Sequence, residues 1–163
     1  MPQQQVIRDL LDHQAVAVVT QVPELGSVLE RLKGQVKLVI TDSQAFKEVA
    51  QIVPKELYLT SFSILFARHK GNLKKLVEGL RYIDRLQDNS RVLIAEGCTH
   101  HRQCDDIGTV KIPRWLRQYT GKELVIESSS GHEFPEDLTS YDLVIHCGGC
   151  TLHEKEMKYR IAP

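Results

Sequence analysis

No apolar run in the 163-residue chain approaches the length needed to cross a bilayer, and the opening MPQQQVIRD of Met1 to Asp9 has no apolar core of a leader peptide. A cytoplasmic address is therefore expected. Excess charge of one sign is also missing: 21 Lys and Arg stand against 21 Asp and Glu, a formal net charge of +0. That balance offers no bulk attraction to nucleic acid or to an anionic membrane, so neither is expected as a partner. Four cysteines are too few for a secreted disulfide scaffold of this size. In a reducing compartment they read instead as metal ligands or redox groups. Common catalytic templates are missing as well. There is no GxxxxGK[ST] phosphate loop, no GxGxxG, no HExxH, and no HxE beside the CxxC pair as zinc deaminases require. Cys98 with a nearby histidine has nothing to orient it as a nucleophile, so no catalytic residue is assigned.

What is present is an alternation of two periods. Val6, Ile7, Leu10 and Leu11 recur at helical spacing, and Ala15 to Val19 form a short valine-rich run of the kind that makes a strand buried on both faces. Leu25, Val28, Leu29 and Leu32 mark a helix, and Val36 to Ile40 a strand. Ala45, Phe46, Val49 and Ala50 mark a further helix with Ser43 as its cap and Pro54 as its stop. Leu57 to Leu59 are the next strand. The longest helical stripe is Leu73, Leu76, Val77, Leu80, Ile83 and Leu86, with mixed charge on its outer side. The polar break Asp88, Asn89, Ser90 is taken as a domain boundary.

Beyond it, Val92 to Ala95 read as a strand running into Glu96, Gly97 and Cys98. Pro113 suits the first turn of a helix carrying Trp115 and Leu116, and Leu124 to Ile126 are the next strand, followed by a turn-rich stretch from Ser128 to Pro135. Leu143 to Ile145 form the last strand, ending in His146, Cys147, Gly148, Gly149 and Cys150. Thr151 and Glu154 have capping-box spacing for a closing helix. Strands alternating with helices give an α/β fold of two small consecutive domains, 1–88 and 89–163, each a largely parallel sheet flanked by helices.

In open parallel sheets ligands bind beyond the carboxyl ends of the strands, and here two strands end in cysteine motifs, Cys98 on one and Cys147 with Cys150 on the other. A CxxC pair aims two thiolates at one centre, the intervening glycines permit close backbone approach, and a third thiolate arrives from the neighbouring strand. Amide groups of the turn and of the following helix start favour an anionic centre, which suits an iron-sulfur cluster. Zinc held by Cys98, Cys147, Cys150 and either Cys104 or a histidine fits the same spacing. A thiol redox pair is a third reading. It leaves Cys98 unexplained and lacks the proline-bearing strand that follows the CxxC motif in thioredoxins.

Cys98, Thr99, His100 with His146, Cys147, Gly148, Gly149, Cys150 match the CxH and HCxxC motifs of HydF, the [FeFe]-hydrogenase maturation GTPase family. The flanks EGCTHHRQCDDIGTVKIPRW and SGHEFPEDL resemble that family's cluster-binding domain, and VITDSQAF and LTSFSILFARHKG its dimerisation domain. The resemblance implies a dimerisation-type domain over 1–88 and an iron-sulfur domain over 89–163. It also implies a [4Fe-4S] cluster on Cys98, Cys147 and Cys150, in a homodimer that carries a diiron precursor to apo-[FeFe]-hydrogenase alongside radical-SAM maturases.

Family members carry an N-terminal GTPase domain and continue past the point where this chain closes at Ile161, Ala162 and Pro163. A fragment, C-terminally truncated and without GTPase activity, is the expectation. Three thiolates on four irons leave one iron position exchangeable. Glu96, two residues before Cys98 on the same strand side, His100 in the turn and His146 are candidates for the fourth position or for hydrogen bonds that tune it. By strand alternation the His146 side chain points opposite to that of Cys147. Cys104 is expected to be dispensable for a cluster. A structural zinc-binding interaction module remains the alternative reading.

Overall fold

The computed structural model describes residues 2–97, 107–131, 133–147, 149 and 151–162. The chain forms an α/β fold with two parallel sheets flanked by helices. It divides into two compact units, Met1–Leu65 and Phe66–Pro163.

The first unit opens with helix α1 (Pro2–Asp12), where Arg8 and Asp12 pair one turn apart. The run Ala15 to Val19 that follows is not a strand. It is irregular, with Val16 89% and Val19 76% exposed. The apolar run was sufficient for a buried strand only if a neighbour accepted its backbone groups, and among the described residues the sheet of this unit contains two other strands alone. Those are β1 (Leu38–Thr41) and β2 (Tyr58–Ser61), parallel and in register from Leu38 opposite Tyr58 to Thr41 opposite Ser61.

Helices α2 (Leu25–Arg31) and α3 (Phe46–Ile52) cover the pair, and Leu25, Val49 and Val53 form the core with Val39 and Leu59. The start of α3 is held by Asp42, whose Oδ1 accepts from the amides of Gln44 (3.1 Å) and Ala45 (3.0 Å). Ser43, the expected cap, instead pairs its hydroxyl with that of Ser63. Val53, before Pro54, is extended and ends the helix as the proline requires.

Helix α4 (Phe62–Lys70) carries the chain from one unit into the other. The long stripe from Leu73 then splits. An α-helix, α5 (Leu73–Gly79), is capped by Asn72 Oδ1, and it tightens into 3₁₀ turns over Leu80–Arg85. Gly79 weakens helix continuation, and the faster rotation of 3₁₀ turns brings Ile83 and Leu86 to the core while Val77 and Leu80 stay exposed. Leu86 is a core residue of the second unit, packed with Val92, Leu116 and Leu124. The observed division therefore lies at Leu65 and Phe66, well ahead of the expected boundary at 88. A polar loop marked the spot in the sequence, but long-range packing of Leu86 decides membership.

The second sheet has the order β4-β3-β5, all parallel, with β3 (Arg91–Glu96) between β4 (Val125–Ser130) and β5 (Leu143–His146). Val92 to Ala95 are at most 2% exposed, which explains the unbroken apolar run of a strand covered on both faces. A π-turn (Ile107–Lys111) leads into α6 (Ile112–Thr120), with Pro113 in its first turn. Strand β4 runs on to Ser130, into the stretch read as turn-rich.

The final helix, α7 (Glu154–Ile161), is not started by the Thr151 and Glu154 capping box. His153 is its cap, with Nδ1 accepting from the Lys155 amide, while the Thr151 hydroxyl donates to the Gly97 carbonyl at 2.9 Å. A better acceptor was reached across the fold than along the chain. Arg160 of α7 is buried, donates through Nε to Glu156 at 2.8 Å and through Nη2 to the Gly131 carbonyl, and lies over the Phe134 ring.

The far side of this sheet is tied by Glu127, which accepts from Arg91 Nη2 and from the Tyr141 hydroxyl, both at 2.7 Å. The Arg91 hydrogen bond, followed by that of Tyr141, holds the Glu127 carboxyl below its ordinary value of 4.5. A carboxyl depressed in the folded state contributes stability that is present above the unfolded value and lost as pH falls through the folded one. Glu127→Gln is thus expected to lower the melting temperature at pH 7, with the gap to wild type closing as pH falls below 4.5. Thermal melts across that range check it.

Candidate metal centre at the ends of β3 and β5

The chain leaves β3 through α6 to β4 on one side, and β5 docks on the other. The carboxyl ends of β3 and β5 therefore flank the point where the winding direction reverses, the place where parallel sheets open a crevice. The pairing continues one residue past β5, where the Cys147 amide donates to the Ala95 carbonyl at 3.0 Å.

Cys147 Sγ is the focus of this corner. It accepts from the Gly97 amide at 2.9 Å and from the Gly149 amide at 3.4 Å. Hydrogen bonds of this kind favour the charged form of an acceptor, and backbone amides on a cysteine sulfur are a standard means of stabilising a metal-bound thiolate. Each donor has to be a glycine for a separate reason. Gly149 has a φ of 59°, and a Cβ on it would stand 2.7 Å from Sδ of the fully buried Met157. A Cβ on Gly97 would meet Leu152 Cγ and Cδ1 at 2.8 Å and the Gly149 backbone at 3.2 Å. The two glycines thus press the end of β3 against the turn after β5, and the Thr151 hydroxyl on the Gly97 carbonyl closes the corner.

The expected site residues fall as follows. Cys147, His146 and Glu96 are described; Cys98, His100, Cys104 and Cys150 lie outside the described residues. His146 pairs with Ala95 across the sheet, its ring 6.2 Å from Phe134, with Nδ1 2.7 Å from the Cys147 carbonyl and Nε2 buried with no hydrogen-bond partner among the described residues. The Glu96 carboxylate lies over Gly108 in the π-turn, where a Cβ would collide with Oε1. Among the described residues no three His, Cys, Asp or Glu side chains converge as a metal cage. Nor is any helix among them long and apolar enough to cross a membrane.

The structure adds Lys70, on the Leu152 carbonyl, and Thr151, expected as a helix cap but bound to the Gly97 carbonyl. Both lie far in sequence from the strand end or turn that they hold. No local spacing announces such a bond.

The donor set fits an anionic metal centre: a cysteine sulfur with two amide donors, in a corner lined by glycine. Two family models match the chain, one in each half. The hydrogen maturase F dimerization domain matches residues 1–71, and the hydrogen maturase F tetramerization domain matches residues 74–163. The two ranges meet between 71 and 74, again ahead of 88. No curated protein matches the chain.

Proposed function

We propose that this chain, which belongs to the hydrogen maturase F family and so to hydrogenase maturation, is a self-associating iron-sulfur scaffold and carrier. The observation that carries the reading is the pair of amide donors on Cys147 Sγ, because each donor glycine is followed directly in sequence by another cysteine, Cys98 after Gly97 and Cys150 after Gly149. Those three cysteines would hold a [4Fe-4S] cluster, with Glu96, His100 and His146 as candidates for the position that no thiolate fills. The cluster would supply an iron with an exchangeable ligand, the attachment point for a diiron precursor on its way to apo-[FeFe]-hydrogenase.

The protein's own share is to hold thiolate charge and keep the backbone close. Gly97 and Gly149 stabilise the thiolate form through their amides, and the absence of their side chains lets the two strand ends approach. Radical-SAM maturases are the proposed source of the cargo. Both matched domains are named for association, and the exposed Val16, Val18 and Val19 of the first unit are an apolar segment suited to a second copy of the chain.

Anaerobic reconstitution with ferrous iron and sulfide tests the reading, followed by electron paramagnetic resonance of the dithionite-reduced protein with and without imidazole. A [4Fe-4S] signal that imidazole perturbs supports three cysteine ligands and an exchangeable iron position. A colourless protein that retains zinc against chelators would replace the scaffold with a structural zinc module.

A further inference from the structure

Lys70 is the last residue of α4, and its ammonium reaches out of that helix to the turn that carries the CxxC motif. It donates to the Leu152 carbonyl at 2.9 Å and to the Gly149 carbonyl at 3.3 Å, and lies 4.9 Å from the centroid of the Phe66 ring. A lysine at a helix end ordinarily extends into water, where it complements the helix dipole and keeps its rotamer freedom. Here the four-carbon stem is half-buried and the ammonium meets two carbonyls that lie on either side of Cys150 in the sequence.

Two consequences follow from elementary electrostatics. A cation held by the Gly149 and Leu152 carbonyls fixes the backbone of the residue whose own amide meets Cys147 Sγ. A cluster on three thiolates is anionic, and its one-electron reduction adds negative charge, so a fixed cation nearby favours the reduced form.

We propose that Lys70 is a positioning residue for the cluster, bracing the Gly149 to Leu152 turn from outside and raising the reduction potential of the bound [4Fe-4S] group. The proposal rests on the scaffold reading for its redox part and on the hydrogen bonds alone for its bracing part. Both parts are tested in the full 163-residue chain with K70M and K70R.

The first measurement is amide hydrogen exchange at Gly149 and Leu152 in the metal-free protein. The second is a potentiometric titration of the reconstituted protein followed by electron paramagnetic resonance, with dithionite supplying the single electron that the cluster accepts. K70M is expected to speed exchange at both amides and to cut the reduction equilibrium constant about tenfold, which is about 59 mV for one electron. K70R is expected to restore the potential.

A K70M protein with wild-type exchange overturns the brace. One with faster exchange but an unchanged potential overturns the electrostatic part and leaves a structural role only. Failure of K70R to recover the potential in a folded protein does the same. If wild type takes up no cluster at all, the scaffold reading fails while the exchange data still decide the brace.

Discussion

Cys147→Ser is expected to abolish a perturbable [4Fe-4S] signal while leaving the fold in place. Serine keeps an oxygen that accepts from the Gly97 and Gly149 amides, so neither donor is stranded and the corner between β3 and β5 survives. What disappears is the thiolate. A hydroxyl stays protonated at neutral pH and binds iron poorly, so retained iron after reconstitution should fall by about 10–100-fold or more, at least the effect of losing an outer-shell partner of a metal site. Iron and sulfide assays on desalted protein read the loss, and circular dichroism reads the fold. Cys104→Ser, treated in the same way, is expected to retain the cluster. A Cys147→Ser protein with wild-type iron would remove Cys147 from the ligand set and with it the centre proposed here.

The second large effect is expected from Gly97→Val, a substitution that leaves every cysteine untouched. Its Cβ alone would stand 2.8 Å from two carbons of Leu152, which is 6% exposed, and 3.2 Å from the Gly149 backbone. The two added methyl groups have still less room. Overpacking of this kind costs about 1–3 kcal/mol. At the upper end of that range the melting temperature should fall by about 5–10 °C.

Iron uptake should fall with it, because the Gly97 amide must leave Cys147 Sγ as the strand end moves. Leu152→Ala creates the missing space, so the pair Gly97→Val with Leu152→Ala is expected to lose less than the sum of the two single variants. Strict additivity in thermal melts would show that crowding against Leu152 is not the cause.

Much of the architecture was legible because it depends on patterns local to the chain. The valine- and leucine-rich segment ending at Ala95 has to be a strand covered on both sides, and α3 has to stop before Pro54. The places where reading and structure part company share one feature, a choice between two partners of similar local merit. Asp42 rather than Ser43 holds the turn that leads into α3, and His153 rather than Thr151 caps α7. Thr151 was diverted by a carbonyl 54 positions away, a competitor that no window of sequence displays. Ala15 to Val19 has the composition of a strand, but a strand exists only where a neighbour accepts its backbone, and composition carries no information about neighbours.

By itself the sequence determined the alternating α/β order, the parallel sheets, the likeness to hydrogen maturase F and the cysteine spacing that nominates a metal centre. All of these reside in periodicity or in residues that are near one another in the chain. The tertiary structure alone decided that Leu86 belongs to the second unit and that Glu96 lies over Gly108. It also decided that Lys70 reaches the turn holding Gly149, 79 positions away. Those outcomes depend on which strand ends and helix ends meet in space, and a chain reveals that only once its buried surfaces have competed for one another and one packing has won.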